Sequence, residues 1–270
     1  MIPLSSIFST NQHIIIGAIH LPPLPDHREF PGFDIAIKNA LLDLTALEEG
    51  GVTGIIFENN YDIPHVPYVS SHTADVMTTI GASIRNATHL PLGISVLWND
   101  YRTALTIAKH LQLDFIRIPV FVDTVHTDYG TINGVSQEVI SLRKEMGAED
   151  IALFTDIHVK HARILSTDDI YTSAKNAICE GSDALIITGK WTGDAPDMKE
   201  VMLLREKFPN AQILLGSGVS EENVHNLFKY ANGAIISTSL KENIGKHSIN
   251  VKPYHARIQR EKVERLIQAI

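Results

Sequence analysis

Short apolar runs alternate with amphipathic stretches along the 270 residues of the chain. Eight runs read as buried strands: Ile14–Ile19, Gly54–Phe57, Leu92–Leu97, Phe115–Val120, Ile151–Thr155, Ala184–Thr188, Gln212–Leu215 and Ala234–Ile236. Their apolar residues are continuous rather than alternating with polar ones, as strands covered on both faces require. Helical spacing fills the intervals. Val135, Val139, Leu142 and Met146 stand 4, 3 and 4 residues apart, and Ala104, Leu105, Ala108 and Leu111 share one face. Turn signals stop several helices before the next strand: Glu49-Gly50-Gly51, Met146-Gly147, Glu180-Gly181 and Phe208-Pro209-Asn210.

The strand starts are 22 to 40 residues apart, room each time for one helix and two short loops. Eight such β-α units without a Pro- or Ser-rich linker predict an α/β fold, a (β/α)8 TIM barrel in one domain over residues 1–270. An open doubly wound sheet shares the alternation and is the alternative fold.

Composition narrows the class of partner. A net charge of −8 sets the chain as a whole against nucleic acid and anionic membranes. The single cysteine, Cys179, excludes an internal disulfide framework and fits a reducing compartment. It falls in a helix-like stretch from Ala174 to Glu180, where a buried structural thiol is expected. The first residues carry no basic charge before a short apolar run, and no run approaches 18 apolar residues. A cytoplasmic protein without an integral membrane segment is expected. The C-terminal stretch, with Ile258, Val263, Leu266 and Ile267 apolar, is expected to close the barrel; a homo-oligomer built on it is the lesser reading.

In a parallel barrel, function gathers at the carboxyl ends of the strands. Polar residues follow the runs there: His20, then Glu58-Asn59-Asn60, then Asn99-Asp100. Arg117 sits inside the fourth run. Asp156, His158, Lys160 and His161 follow the fifth, Gly189, Thr192 and Gly193 the sixth, and Ser217 the seventh. Ser237, Thr238 and Lys241 follow the eighth. Gly216-Ser217-Gly218 precedes a helix for which Ser220 is a good N-cap, with Glu221 and Glu222 in the first turn. Ser237, Thr238 and Ser239 leave the next strand. Together these segments fit a phosphate held by backbone amides between loops seven and eight. Short hydrogen bonds capture a dianion despite the distant negative field.

Asp156 and Lys160 read as a carboxylate beside an ammonium, a base and an electrophile for proton abstraction next to a carbonyl. A Schiff base on Lys160 and a merely loop-closing pair are the other readings. Glu58 and His20 are further candidates for acid/base work. His20, Glu58, Asp156 and His158 together also present nitrogen and oxygen ligands for a divalent metal, but no compact ligand motif joins them, and no cofactor is expected. Arg117 needs an anionic partner inside the barrel, either a strand-end acid or a ligand.

Eight motifs in order are then specific: GAIHLPPLP (17–25), GIIFENNYDIPH (54–65), LGISVLWND (92–100), DFIRIPVF (114–121), FTDIHVKHA (154–162), ITGKWTG (187–193), GSGVSEENV (216–224) and GAIISTSLK (233–241). Over nearly the whole chain they resemble the BtpA family, which includes SgcQ-like proteins. The resemblance implies a TIM barrel related to the phosphate-binding barrels. Its polar strand-end positions match His20, Glu58, Asn59, Asn99, Asp100, Arg117, Asp156, Lys160, His161, Thr192, Gly193, Gly216, Ser217, Gly218 and Lys241. Trp98 stands where members often carry Arg, Pro119 where Asn is usual, and Ser237 where Gly usually precedes Thr-Ser.

Photosynthetic members are linked to photosystem I biogenesis, and SgcQ-like members are taken as sugar-metabolism enzymes. Two expectations follow. One is an isomerase, epimerase or aldolase-type lyase for a small phosphorylated, sugar-derived molecule. The other is a non-catalytic assembly factor that uses the barrel surface. The acids and bases gathered at one rim favour the enzyme.

Overall fold

A computed structural model describes residues 1–9, 13–166, 169–242 and 254–270. The strands in chain order are β1 (Ile14–His20), β2 (Gly54–Glu58), β3 (Leu92–Ser95), β4 (Phe115–Ile118), β5 (Val125–Thr127), β6 (Gly130–Ile132), β7 (Ala152–Ile157), β8 (Ala162–Ile164), β9 (Ala184–Ile187), β10 (Ile213–Leu215) and β11 (Gly233–Ile236). Eight of them close a parallel barrel in the order β1-β11-β10-β9-β7-β4-β3-β2. The alternation therefore encodes a closed cylinder and not an open sheet. Each expected run contains a strand, although β7 extends through Asp156 to Ile157 and β4 stops at Ile118.

The remaining strands were not expected. β5 and β6 form a hairpin beyond β4, and β5 also pairs antiparallel with β8 from the loop beyond β7. This small sheet lies over two of the barrel's exits.

The helices are α1 (Leu4–Ile7), α2 (Phe33–Gly50), α3 (Ser71–Ala87), α4 (Tyr101–Leu111), α5 (Ser136–Glu145), α6 (Ile170–Cys179), α7 (Met198–Lys207), α8 (Val224–Leu227) and α9 (Arg260–Gln268). Side chains cap four of them: Ser70, Asp100, Asp169 and Asp197 accept from the amides of Thr73, Thr103, Thr172 and Lys199. On α6 the buried residues are Ile170, Ser173, Ala174 and Ala177. Cys179 lies off that face and is exposed, which corrects the expected buried thiol. α9 buries Val263 and Leu266, Val263 lying against Gly50 of α2, so the C-terminal stretch joins the outer helical layer. The barrel itself is closed by β1 pairing with β11.

Alternate residues of each strand point inward. Ile16, Ala18, Ile56, Phe115, Phe154, Ile186 and Leu214 share one apolar cluster, and Phe8, following α1, joins it through ring contacts to Phe115 and Phe154. Phe115 stacks on Phe154 at 4.4 Å and 19°. Gly93 is required beside them, because a Cβ there would lie 2.2 Å from the Phe115 ring. Gly93→Ala is expected to cost about 1–3 kcal/mol, the usual penalty of overpacking a filled core, as read from the denaturant midpoint.

Candidate functional site

Two residues along from the apolar layer, the inward positions turn polar: Ala18 gives way to His20, Ile56 to Glu58, Phe115 to Arg117 and Phe154 to Asp156. The strand period of two thus stacks an ionic layer directly on the apolar one. Arg117 is its hub. Nε and Nη2 each donate to Asp156 at 2.8 Å, and Nη1 donates to Glu58 Oε1 at 3.0 Å. Burial works against the guanidinium charge, but Asp156 and then Glu58 outweigh it and drive the pKa of Arg117 upward. A buried arginine with both carboxylates in place satisfies most of its donors.

The expected pairing of Asp156 with Lys160 is therefore not formed. Both Asp156 oxygens face Arg117, and Lys160 reaches the other way, its Nζ donating to the Gly216 carbonyl at 3.2 Å. His158 and His161 flank this lysine with left-handed backbones, φ 52° and 61°. The turn they make folds the chain back over the strand ends. It is pinned by the Lys160 amide donating to Thr188 Oγ1 at 3.0 Å and the His161 amide to the Lys190 carbonyl at 3.0 Å. Burial, then the Arg117 cation, push the Lys160 pKa down to about 8, with Glu58 and Asp156 pulling the other way.

His20 completes the group. Its Nε2 lies 3.8 Å from Glu58 Oε2, the oxygen that Arg117 leaves open. Burial, followed by Lys241, Lys160 and Arg117, holds the His20 pKa well below the ordinary value, so the ring is neutral at pH 7. His161 is neutral as well, pushed down to about 4 by burial and then by Lys160, and its Nε2 lies 2.7 Å from Thr192 Oγ1.

These side chains border a cavity of about 970 Å³ at the carboxyl ends of the strands. His20, Glu58, Arg117, Lys160, His161, Thr192, Gly193, Gly216, Ser217, Gly218 and Thr238 all line it. The Ser217 hydroxyl is already engaged, accepting from the Gly189 amide at 2.8 Å and donating to the Asp194 carbonyl at 2.7 Å. Gly218, at φ +63°, packs so closely on Ala195 that a Cβ would lie 2.2 Å from its nitrogen. What the loop presents to the cavity is backbone. The amides of Ser217, Gly218 and Val219 take no partner among the described residues.

The helix expected from Ser220 starts at Val224 and lasts one turn. The Asn223 side chain instead closes the preceding loop, accepting from the Ser220 amide and donating to the Gly218 carbonyl. No helix therefore begins at Ser220, and the loop presents backbone amides alone to the cavity.

Five of the predicted residues stand outside the cavity wall. Asn59 accepts from the Leu97 amide at 2.8 Å and donates to Asp62, and Asn99 exchanges hydrogen bonds with the Val120 backbone, so both tie adjacent loops together. Asp156 lies behind Arg117. Ser237 is buried, and its hydroxyl has no partner among the described residues. Lys241 is 0% exposed, and its Nζ stands 3.4 Å from the Tyr61 hydroxyl and over the ring of that residue. Burial pushes the Lys241 pKa down to about 8, opposed by Asp43.

The four-ligand metal set is not assembled either. His158 turns outward to Ser173 of α6, 3.3 Å away, and among the described residues no group of three His, Cys, Asp or Glu could hold a metal ion. The aromatic part of the wall, Tyr61, His65, Tyr129 and Trp191, was not expected from the sequence, and Trp98 stood out only as a departure from the family pattern. Spacing gives no signal for the hairpin that carries Tyr129, since the first two strand intervals are longer than the one that holds it and contain no added strand.

In a comparison with known families, residues 11–269 match the model of the BtpA family. The chain belongs to the BtpA family. Among similar proteins, an uncharacterized protein of Thermococcus kodakarensis is 37% identical over 229 residues, 84% of this chain and 86% of its own length. The photosystem I biogenesis protein BtpA of Synechocystis is 36% identical over 230 residues, 84% of this chain and 80% of its own length. A solved N-(5'-phosphoribosyl)anthranilate isomerase from Pyrococcus furiosus has a TM-score of 0.56 at 12% identity, covering 95% of this chain and 98% of that one, a likeness of fold alone. No helix of this BtpA-family chain is long and apolar enough to cross a membrane among the described residues.

Proposed function

We propose that the chain is an enzyme acting on a small phosphorylated, sugar-derived molecule by acid/base chemistry, of the isomerase, epimerase or aldolase-type lyase kind. The observation that carries this reading is one cavity lined together by Lys160, Glu58 and His20 and by the loop of Ser217, Gly218 and Val219, whose amides take no partner among the described residues. Phosphate accepts from those amides, which fixes the sugar chain across the barrel. The substrate carbonyl oxygen lies against the Lys160 ammonium. Glu58 Oε2 takes a proton from the neighbouring carbon, and the electron pair moves onto that oxygen as an enolate held by the ammonium. Neutral His20, within reach of Glu58, moves the proton onward. Arg117 and Asp156 fix Glu58 in place rather than reacting.

The name of the Synechocystis relative favours a second reading, an assembly factor that docks through the outer surface of the barrel. Ligand binding separates the two. On the enzyme reading, ribose 5-phosphate at a hundredfold excess over Kd stabilises the protein by about 2.7 kcal/mol in a thermal melt. Thr238→Asp, which sets a carboxylate on the loop-eight side of the cavity, is expected to abolish that gain while leaving the unliganded Tm within about 2 °C. A melt unmoved by inorganic phosphate and sugar phosphates alike supports the assembly factor.

A further inference from the structure

The cavity is larger than a small sugar phosphate needs, and its wall is chemically divided. In the closed strand order, β10 and β11, which carry the glycine turn and Thr238, stand across the barrel from β3 and β4. Beyond β2, β3 and β4 the wall is aromatic. The rings of His65 and Trp98 meet at 6.2 Å and 85°, and those of His65 and Tyr129 at 5.0 Å and 81°. Three rings at nearly right angles make an edge-to-face corner, an arrangement whose quadrupoles suit another flat ring.

The small sheet of β5, β6 and β8 supports this corner. Trp98 packs with Val120, Val125 and Val159 and against Ile132 and Ile164, and Tyr129 stands at the turn of the β5–β6 hairpin. Trp98 is 7% exposed, yet among the described residues its indole N–H has no hydrogen-bond partner, and neither has the Asn60 side-chain oxygen in the same wall. Buried polar groups left unmatched are uncommon and costly, and a ligand that supplies the partners removes the cost. One donor and one acceptor beside aromatic faces are what a planar heteroaromatic ring recognises.

We infer that the substrate carries, at the end remote from its phosphate, a flat nitrogen- or oxygen-bearing ring that seats against Trp98 and Tyr129. This names the substrate class of the reading above and rests on it for the phosphate end; the aromatic end stands on its own residues. Ring stacking supplies affinity, and the Trp98 N–H and Asn60 oxygen supply orientation.

The test is a binding series with inorganic phosphate, ribose 5-phosphate, the four common nucleoside 5'-monophosphates and the corresponding nucleosides. It is read by calorimetry and by tryptophan fluorescence in Trp191→Phe, which leaves Trp98 as the single tryptophan of the chain. At least one monophosphate is expected to bind tenfold or more tightly than ribose 5-phosphate and to quench Trp98. Tyr129→Ala, at a hairpin tip and 39% exposed, removes most of that preference, as does Trp98→Leu. Both leave ribose 5-phosphate affinity unchanged. Monophosphates that bind no better than ribose 5-phosphate overturn the inference and leave the phosphate reading standing. Nucleosides that bind and quench Trp98 while no phosphate adds affinity support the ring site and overturn the phosphate reading. Silence from every probe overturns both.

Discussion

Arg117→Met is expected to lower stability by about 3–5 kcal/mol, the cost of leaving buried charges without their partner. Arg117 is the only side chain with an ion pair to Asp156 among the described residues, and it binds one oxygen of Glu58. Methionine fills a similar volume but returns no hydrogen bond, so both carboxylates stay in the barrel unmatched. Adding Asp156→Asn to Arg117→Met removes one stranded charge and is expected to recover part of the loss. Denaturant unfolding of the two singles and the double variant gives the coupling, and additivity of the two effects counts against the hub.

Lys160→Met is expected to reduce kcat/KM by about 10²–10⁴ while leaving the fold intact, the range for loss of one electrophile or acid/base group. Its pKa of about 8 adds a pH signature. The ammonium holds the enolate only while charged, so wild-type kcat/KM falls as pH rises through about 8. Lys160→Arg retains some activity, and its alkaline limb moves upward because a guanidinium keeps its proton. An alkaline limb unchanged in Lys160→Arg removes Lys160 from that role. Stability obeys the opposite sign. The folded amine titrates near 8 against 10.5 for the free group, so between those values the unfolded chain binds more protons and stability rises with pH. Lys160→Met reduces that rise, and Lys241, also near 8, supplies the remainder.

The barrel was legible because buried parallel strands leave uninterrupted apolar runs, and eight of them admit few closures. His20, Glu58 and Arg117 stood out as polar groups ending or interrupting such runs. Asp156 was misplaced by two residues of strand: the inward period continues from Phe154 to Asp156, which hands the carboxylate to Arg117 rather than to a loop lysine. Asn59 and Asn99 looked like ligand contacts, but whether a strand-end amide meets substrate or the next loop depends on distances between segments about 20 to 40 residues apart, on which spacing is silent. Three-residue strands such as β5 and β8 are too short to show a period, so the sheet behind Trp98 left no trace in the apolar pattern.

The Ser217 hydroxyl clasps the segment beyond β9 at both Gly189 and Asp194, and Gly218 lies flat against Ala195. The two segments are thereby tied into one unit. A displacement of Trp191 and Thr192 would therefore carry the Ser217 and Gly218 backbone with it, so the sixth and seventh strand exits answer any occupant of the cavity together.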